Sequence, residues 1–208
     1  MHAVLYALLL AFGTASYVVG CRDMLVGRYA PSVFSRVVWL LLAGIGFGGV
    51  VAGGSAAGAV LLSGVFLAGN VAICLISFWR GSRGFGALEY VCLGILAVAA
   101  VVWPALDAPV VSVAISLLAH FVGGAPTYRT VWREPRAESA GFWSLFFLAS
   151  ALGLVADLGR PWSGLLFPAY FTVFDGGMTA LSLRGRRPSL RSAVGAGGRD
   201  RRRRRRRT

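Results

Sequence analysis

The sequence predicts an all-α membrane protein with seven transmembrane helices, arranged as two parallel triple-helix repeats joined by a linker helix (3+1+3). Three observations lead to this fold class. The chain is far more apolar than a water-soluble domain, it contains seven apolar segments of about the length of a membrane crossing, and its two halves resemble each other.

Composition separates this chain from soluble proteins. Of its 208 residues, 57% are hydrophobic and 14% are charged, whereas soluble domains contain roughly 45–50% apolar and about 25% charged residues. The net charge of +13 comes mainly from the C-terminal tail, because 12 of the 21 basic residues lie between Arg184 and Arg207. We expect residues 188–208 to be a disordered, Arg-rich cytoplasmic tail that contacts anionic membrane lipids rather than a specific nucleic acid.

Each apolar segment is a candidate crossing, because a helix needs about 20 apolar residues to span the hydrocarbon core of a bilayer. The second and fourth segments are slightly short, and glycine within the segments is tolerated in membrane helices. The first segment lacks the basic start of a secretory signal, so we expect it to be retained. In chain order the segments are residues 2–20, 34–51, 57–79, 87–104, 109–132, 139–157 and 162–183.

The arginines test this count, because cytoplasmic loops of membrane proteins collect basic residues. With seven crossings, 20 of the 21 arginines fall on one side of the membrane and Arg160 alone falls on the other. Misplacing one crossing would break this separation. The sequence therefore predicts an N-terminus outside, a C-terminus in the cytoplasm and a location in the cell's inner (plasma) membrane.

An offset of 104 residues relates the two halves. Without a gap, residues 15–83 and 119–187 share 15 identities over 69 positions. Since each repeat has three crossings, a fourth helix is needed to give both repeats the same orientation, as in parallel-repeat transporters. We therefore divide the chain into repeat one (1–83), a linker helix (84–105), repeat two (106–187) and the tail. The scarce residue types carry most of the comparison: Pro31 with Pro135, Ser35 with Ser139, Trp39 with Trp143, and Arg80 with Arg184.

The second repeat contains an ordered motif around its first loop. It runs from Pro126 and Thr127 near the end of one helix, through a basic stretch from Tyr128 to Arg133, to Arg136–Ser139 and Trp143, which open the next helix. This order resembles the loop motif of the PQ-loop and SWEET superfamily of seven-helix membrane proteins. The resemblance implies the 3+1+3 fold and transport of sugars or amino acids.

The chain departs from the family pattern at two places. Thr127 stands where the family usually has glutamine, and Cys21, Arg22 and Asp23 replace the Pro-Gln pair of the first repeat. Family prolines are thought to let helices bend during transport. Their loss from the first repeat favours an alternative, in which the protein is a non-transporting receptor or scaffold that retains the fold.

Three polar side chains deep in the apolar segments form the candidate solute site. Asn70, His120 and Asp175 lie 11 to 13 residues into their segments, which at about 1.5 Å per residue places them near the middle of the membrane. An ionised Asp there costs about 2.5–3.5 kcal/mol, so such residues usually face a bundle interior or a watery cavity. SWEET-like proteins bind sugar with one asparagine from the third and one from the seventh helix. The offset pairs Asn70 with Phe174, next to Asp175, so Phe174 is a further substrate-binding candidate.

These residues also have structural interpretations. Asn70 and His120 can each hydrogen-bond a neighbouring helix, a contact worth about 0.6 kcal/mol in membranes. Asp175 and His120 can form a static pair, or a pair in which protonation of Asp175 couples protons to transport. We expect two tryptophans to anchor helices at the inner membrane interface: Trp39 and Trp143. Four residues are candidate hinges: Pro126, Pro168, Gly176 and Gly177.

The leading hypothesis is a carrier for a small polar solute, either a sugar or an amino-acid-like molecule, that works by alternating access around this midplane site. An enzyme is not expected, because the segments show no paired carboxylates, no HExxH and no nucleophile with an evident base. No cofactor is expected: the chain has no lysine to hold retinal, and its three cysteines lack CxxC spacing. Whether the chain forms a homo-oligomer is left open.

Overall fold

The computed structural model describes residues 2–83 and 109–184, together with the single positions 87, 90, 91, 94 and 97. These residues build an all-helical structure with six helices. In chain order they are α1 (His2–Leu25), α2 (Val33–Ala52), α3 (Ala57–Arg80), α4 (Pro109–Arg133), α5 (Ala140–Ala156) and α6 (Trp162–Arg184).

Six of the seven predicted segments are helices with nearly the predicted bounds. The largest difference is in α1, which continues to Leu25 instead of ending at residue 20. Most of the predicted fourth segment (87–104) and of the linker (84–105), and all of the tail (188–208), lie outside the described residues. The seven-helix count therefore stays a prediction.

Serine side chains fix the starts of α2 and α5. The Ser32 hydroxyl accepts the N–H of Ser35 at 3.4 Å, and the Ser139 hydroxyl accepts the N–H of Phe142 at 3.3 Å. Each contact satisfies one of the backbone donors that a helix start leaves unpaired. The first-repeat cap is thus Ser32, three residues before the serine that the 104-residue offset pairs with Ser139.

Three helices, α1, α2 and α3, are long and apolar enough to cross a membrane. Helix α5 is also apolar but has 17 residues. Several such helices in one chain indicate an integral membrane protein, as the composition predicts. The type of membrane and the orientation of the chain in it remain predictions.

The helices pack as two groups of three, which we call the first triplet (α1–α3) and the second triplet (α4–α6). In the first triplet α3 contacts both α1 and α2, and in the second α6 contacts both α4 and α5. Between the triplets, α1 packs on α5 and α2 packs on α4. Equivalent helices of the two sequence repeats therefore have equivalent neighbours.

The bundle has two chemically different ends. At one, the Ser139 hydroxyl before α5 donates to Asp23 near the end of α1 at 2.6 Å; at the other, the His2 ring at the start of α1 hydrogen-bonds the carbonyl of Ala156 at 3.0 Å. Arg160 is at the second end, which we call the opposite end. The other nine arginines of the described chain lie at or near the first end, which we call the basic end: Arg22, Arg28, Arg36, Arg80, Arg83, Arg129, Arg133, Arg136 and Arg184.

The predicted interface role of Trp39 and Trp143 is wrong. Both are buried between the triplets, where their rings meet edge to face with centroids 6.1 Å apart. In the described part of the chain, three tryptophans at helix ends do face outward: Trp79, Trp132 and Trp162, which are 79%, 62% and 69% exposed. Tryptophan at the ends of membrane helices is typical of the lipid interface, so these three fit the anchoring role.

Candidate functional site

A small buried cavity between the two triplets, which we call the central cavity, brings the three predicted polar residues together. Asn70 of α3, His120 of α4 and Asp175 of α6 line it, and each is at most 3% exposed. Its volume is about 10 Å³, near the minimum of about 10–15 Å³ that holds one water molecule. Arg36 and seven aromatic residues form the rest of the wall: Tyr17, Trp39, Phe66, Phe142, Trp143, Phe146 and Phe171.

Asn70 is held within the first triplet. Its amide N–H₂ donates to the Tyr17 hydroxyl at 3.0 Å and to the carbonyl of Phe66 at 2.8 Å. Tyr17 approaches this closely because residue 69 is glycine, where a Cβ would lie 2.2 Å from the Tyr17 ring. Asn70 therefore does hydrogen-bond a neighbouring helix, and its role in binding solute stays a prediction.

Asp175 has a single side-chain partner. Its Oδ2 accepts from the Ser150 hydroxyl of α5 at 2.9 Å, and its buried Oδ1 has no hydrogen-bond partner among the described residues. The Ser150 hydroxyl is also 2.9 Å from the carbonyl of Phe146. Because a hydroxyl carries one proton, Ser150 cannot donate to both acceptors at once. The carboxyl of Asp175 is therefore poorly satisfied in this conformation.

The pairing of His120 with Asp175 that the sequence suggests is absent from the described part of the chain. The Nδ1 of His120 hydrogen-bonds the Tyr170 hydroxyl at 2.9 Å, while Asp175 contacts Ser150. The His120 ring stacks on Trp39 with centroids 5.1 Å apart and an interplanar angle of 19°. A proton-coupling device built on this pair is thus not supported by the conformation observed.

Phe174 and Gly177 are tied to Tyr128 across the α4–α6 contact. The Tyr128 hydroxyl donates to the carbonyl of Phe174 at 2.7 Å, and the Phe174 ring meets His120 with centroids 4.8 Å apart. A Cβ at Gly177 would lie 2.6 Å from the Tyr128 hydroxyl oxygen. Gly177 therefore provides room for this hydrogen bond, and Phe174 supports the wall of the cavity rather than lining it.

The other candidate hinges lie inside helices of the second triplet. Pro126 is within α4 and Pro168 is within α6, and each lacks the N–H that would complete a helical hydrogen bond. Gly176 packs against Phe147, 3.2 Å from where a Cβ would stand. Bending at these positions stays a prediction.

Four buried polar atoms of residues that line the central cavity have no hydrogen-bond partner among the described residues. Buried polar groups are nearly always hydrogen-bonded, so each exception calls for an explanation. The set contains one acceptor, two donors and one atom that is either, depending on tautomer: Asp175 Oδ1, Trp39 Nε1, Arg36 Nε and His120 Nε2.

A buried ion pair closes the basic end of the cavity. The Arg36 Nη2 lies 3.3 and 3.4 Å from the two carboxylate oxygens of Glu138, and the side chains are 2% and 6% exposed. The guanidinium also lies 4.6 Å from the Trp39 ring centroid, a cation–π distance, and Glu138 accepts the indole N–H of Trp143 at 3.3 Å. Burial raises the pKa of the Glu138 carboxyl above its ordinary value, and the charge of Arg36 opposes that rise.

A polar depression of about 250 Å³ lies on the other side of this ion pair. Glu138 lines the depression and Arg36 lines the central cavity, so the pair separates the two spaces. The remaining wall is mainly polar: Asp23, Arg28, Tyr29, Pro135, Arg136, Ser139 and Ser182.

Asp157 joins the two triplets at the opposite end of the bundle. Its carboxylate accepts the N–H groups of Gly58 and Ala59 at 3.2 and 2.9 Å and the Tyr6 hydroxyl at 3.2 Å. These N–H groups open α3, where unpaired donors and the helix dipole favour an anion. Only glycine fits at 58, because a Cβ there would lie 2.5 Å from Asp157 Oδ2. A depression of about 280 Å³ lies at this end, between α2 and α3 on one side and α6 on the other.

No group of three or more His, Cys, Asp or Glu side chains within the described ranges could hold a metal ion. Comparison with protein-family models, curated proteins and solved structures finds no match for this chain. The resemblance to the PQ-loop and SWEET superfamily therefore remains a prediction from sequence.

Proposed function

We propose that the protein is a membrane carrier that moves a small polar solute by alternating access, with an architecture like that of PQ-loop and SWEET proteins. The observation that carries this proposal is the central cavity. Residues that carry buried polar atoms without a partner among the described residues line it, and the triplets contact each other at both ends of the bundle. A solute that bonded these atoms would remove the cost of about 1–3 kcal/mol that each one carries when buried unsatisfied.

Contacts at the two ends of the bundle give the proposed cycle its structural basis. Opening the basic end requires Arg36 to leave Glu138, and opening the opposite end requires Asp157 to leave the start of α3. Because each contact joins one triplet to the other, rocking of the triplets breaks one contact while the other holds. The buried cavity then corresponds to an intermediate between the two open states.

The proposal includes seven crossings, with the undescribed residues between α3 and α4 supplying the fourth, and a plasma-membrane location. Two observations support it. Equivalent helices of the two triplets have equivalent neighbours, and nine of the ten arginines in the described residues lie at the basic end. By the positive-inside rule that end faces the cytoplasm, where the Arg-rich tail would meet anionic lipid.

Uptake into proteoliposomes tests transport. We expect the full chain to accumulate or exchange at least one member of a panel of sugars and amino acids, and Asp175→Asn and Asn70→Ala to reduce the rate. Glu134→Gln is the matched control for Asp175→Asn, because it makes the same carboxylate-to-amide change at an exposed loop position. If no solute moves, or both site variants transport as fast as wild type, the carrier proposal fails.

The alternative role as a receptor or scaffold is favoured by one observation: α1 contains no proline, whereas its counterpart α4 contains Pro126. A helix without a proline bends less readily, so the first triplet would rock as a rigid body or not at all. A stable protein partner in pull-downs, together with no solute-dependent change in melting temperature, would favour this role over transport.

A further inference from the structure

Asp175 lacks a positive partner. The ion pairs of the described residues join Arg28 to Asp23 and Arg36 to Glu138, which leaves the Asp175 carboxyl with the neutral Ser150. Residues 84–108, most of which the structure does not describe, contain no Arg, Lys or His. The tail arginines come after the last residue of α6 in the sequence. His120 contacts Tyr170 rather than Asp175, so a positive charge beside Asp175 would come from a ligand.

The aromatic wall suits a positively charged nitrogen. Phe66, Phe146 and Phe171 line the cavity with Asp175 and contact one another, with centroids 4.6 Å apart for Phe66 and Phe171. Ring faces attract ammonium groups, most strongly where water is excluded. An acceptor among aromatic faces is a recognised arrangement for binding amines.

The same wall also offers hydrogen-bond donors. The Nε1 of Trp39 and the Nε of Arg36 are buried N–H groups that find no partner within the described ranges, and neither can act as an acceptor. The charge of Arg36 is already matched by Glu138, so it does not neutralise Asp175. A ligand that satisfies the whole wall needs an accepting oxygen as well as a positive nitrogen.

We propose that the central cavity binds a small solute with a protonated amine and a hydrogen-bond-accepting oxygen, an amino acid or an amino alcohol. The amine donates to Asp175, and the oxygen accepts from Trp39 and Arg36. This inference rests on the proposed carrier function and narrows its substrate class from polar solutes in general. Because the cavity measures about 10 Å³, the triplets must separate to admit the solute.

Titration calorimetry of the full chain in lipid nanodiscs tests the inference with ethanolamine, glycine, ethylene glycol and glucose. Ethylene glycol is the neutral counterpart of ethanolamine. We expect ethanolamine, glycine or both to bind at least about tenfold more tightly than either neutral solute, as loss of a hydrogen bond to a charged group predicts. Asp175→Asn should remove this preference, and the exposed control Glu134→Gln should keep it.

The outcomes separate this inference from the carrier proposal. Equal affinity for ethanolamine and ethylene glycol, or amine binding that is unchanged in Asp175→Asn, overturns the amine assignment even if a neutral solute is transported. If amine binding depends on Asp175 but no solute is taken up into proteoliposomes, the amine-binding site is supported and the carrier proposal is refuted. The wild-type comparison of solutes decides the question even if Asp175→Asn does not fold.

Discussion

Replacing Glu138 by leucine leaves the guanidinium of Arg36 buried without its partner. The two groups are 3.3 Å apart, and at an effective dielectric constant of about 20 Coulomb's law gives about 5 kcal/mol of attraction at this distance. Desolvation of both charges opposes the attraction, so the pair adds little net stability although loss of one partner is costly. We expect Glu138→Leu to lower the free energy of unfolding by about 3–5 kcal/mol.

Removing Arg36 instead is expected to cost less. A buried carboxyl can take up a proton, whereas a guanidinium cannot lose one. Burial already raises the pKa of Glu138, and Arg36→Met removes the charge that opposes the rise. Because the folded-state pKa then lies above the unfolded value, Glu138's contribution to stability is fully present below the unfolded pKa. It is lost as pH rises through the folded pKa. Glu138→Leu removes the titrating group and should lack this pH dependence.

The double variant Arg36→Met/Glu138→Leu should recover most of the lost stability, because it leaves no buried charge. Thermal unfolding of the full chain in detergent, followed by circular dichroism from acid to neutral pH, measures all four members of the cycle. Glu134→Leu is the matched control, since Glu134 is exposed. A coupling energy below about 0.5 kcal/mol, or equal losses for Glu138→Leu and Glu134→Leu, would refute the buried pair.

Three further predictions concern the opposite end, a close helix contact and the tryptophans. Asp157→Ala removes the acceptor of two N–H groups at the start of α3 and should cost about 0.5–2 kcal/mol of stability, as for other helix caps; a melting temperature equal to wild type would contradict that role. Gly69→Ala should lower the free energy of unfolding by about 1–3 kcal/mol through overpacking. Gly48→Ala, with no atom within 4 Å of the added carbon, should instead raise it by roughly 0.5–1 kcal/mol. Thermal unfolding compares the two variants. In single-tryptophan variants, brominated lipids should quench the fluorescence of exposed Trp162 strongly and that of buried Trp143 weakly.

Most of the described fold can be predicted from where apolar residues, polar turns and arginines stand in the sequence. Apolar runs of about 20 residues, separated by polar turns, predict helices with nearly the observed bounds because a helix of that length spans the bilayer and makes its backbone hydrogen bonds within one segment. The position of arginine predicts which helix ends lie together. Both signals depend on residue class alone, so they can be used without knowing which helices are in contact.

The site could be predicted only in part, because depth along a helix does not reveal rotation about its axis. Counting residues places Asn70, His120 and Asp175 at one level, and the structure shows that all three line one cavity. Counting residues cannot show that Asp175 contacts Ser150 rather than His120. Counting also treats Arg36 as a loop charge, since an arginine at a helix start looks the same whether it faces water or a buried acid.

The contacts that join the triplets at the two ends of the bundle use different chemistry, and this difference bears on the proposed carrier cycle, in which only one end opens at a time. At the basic end both partners are side chains, Arg36 and Glu138, so separation leaves a guanidinium that stays charged at any physiological pH. At the opposite end Asp157 binds backbone N–H groups of α3, which water can replace once the helix start is exposed. Separation at the basic end therefore leaves two ionisable side chains to hydrate, Arg36 and Glu138, whereas separation at the opposite end leaves one, Asp157. We therefore expect the opposite end to open more readily in the empty protein, and the basic end to open when solute or water reaches Arg36.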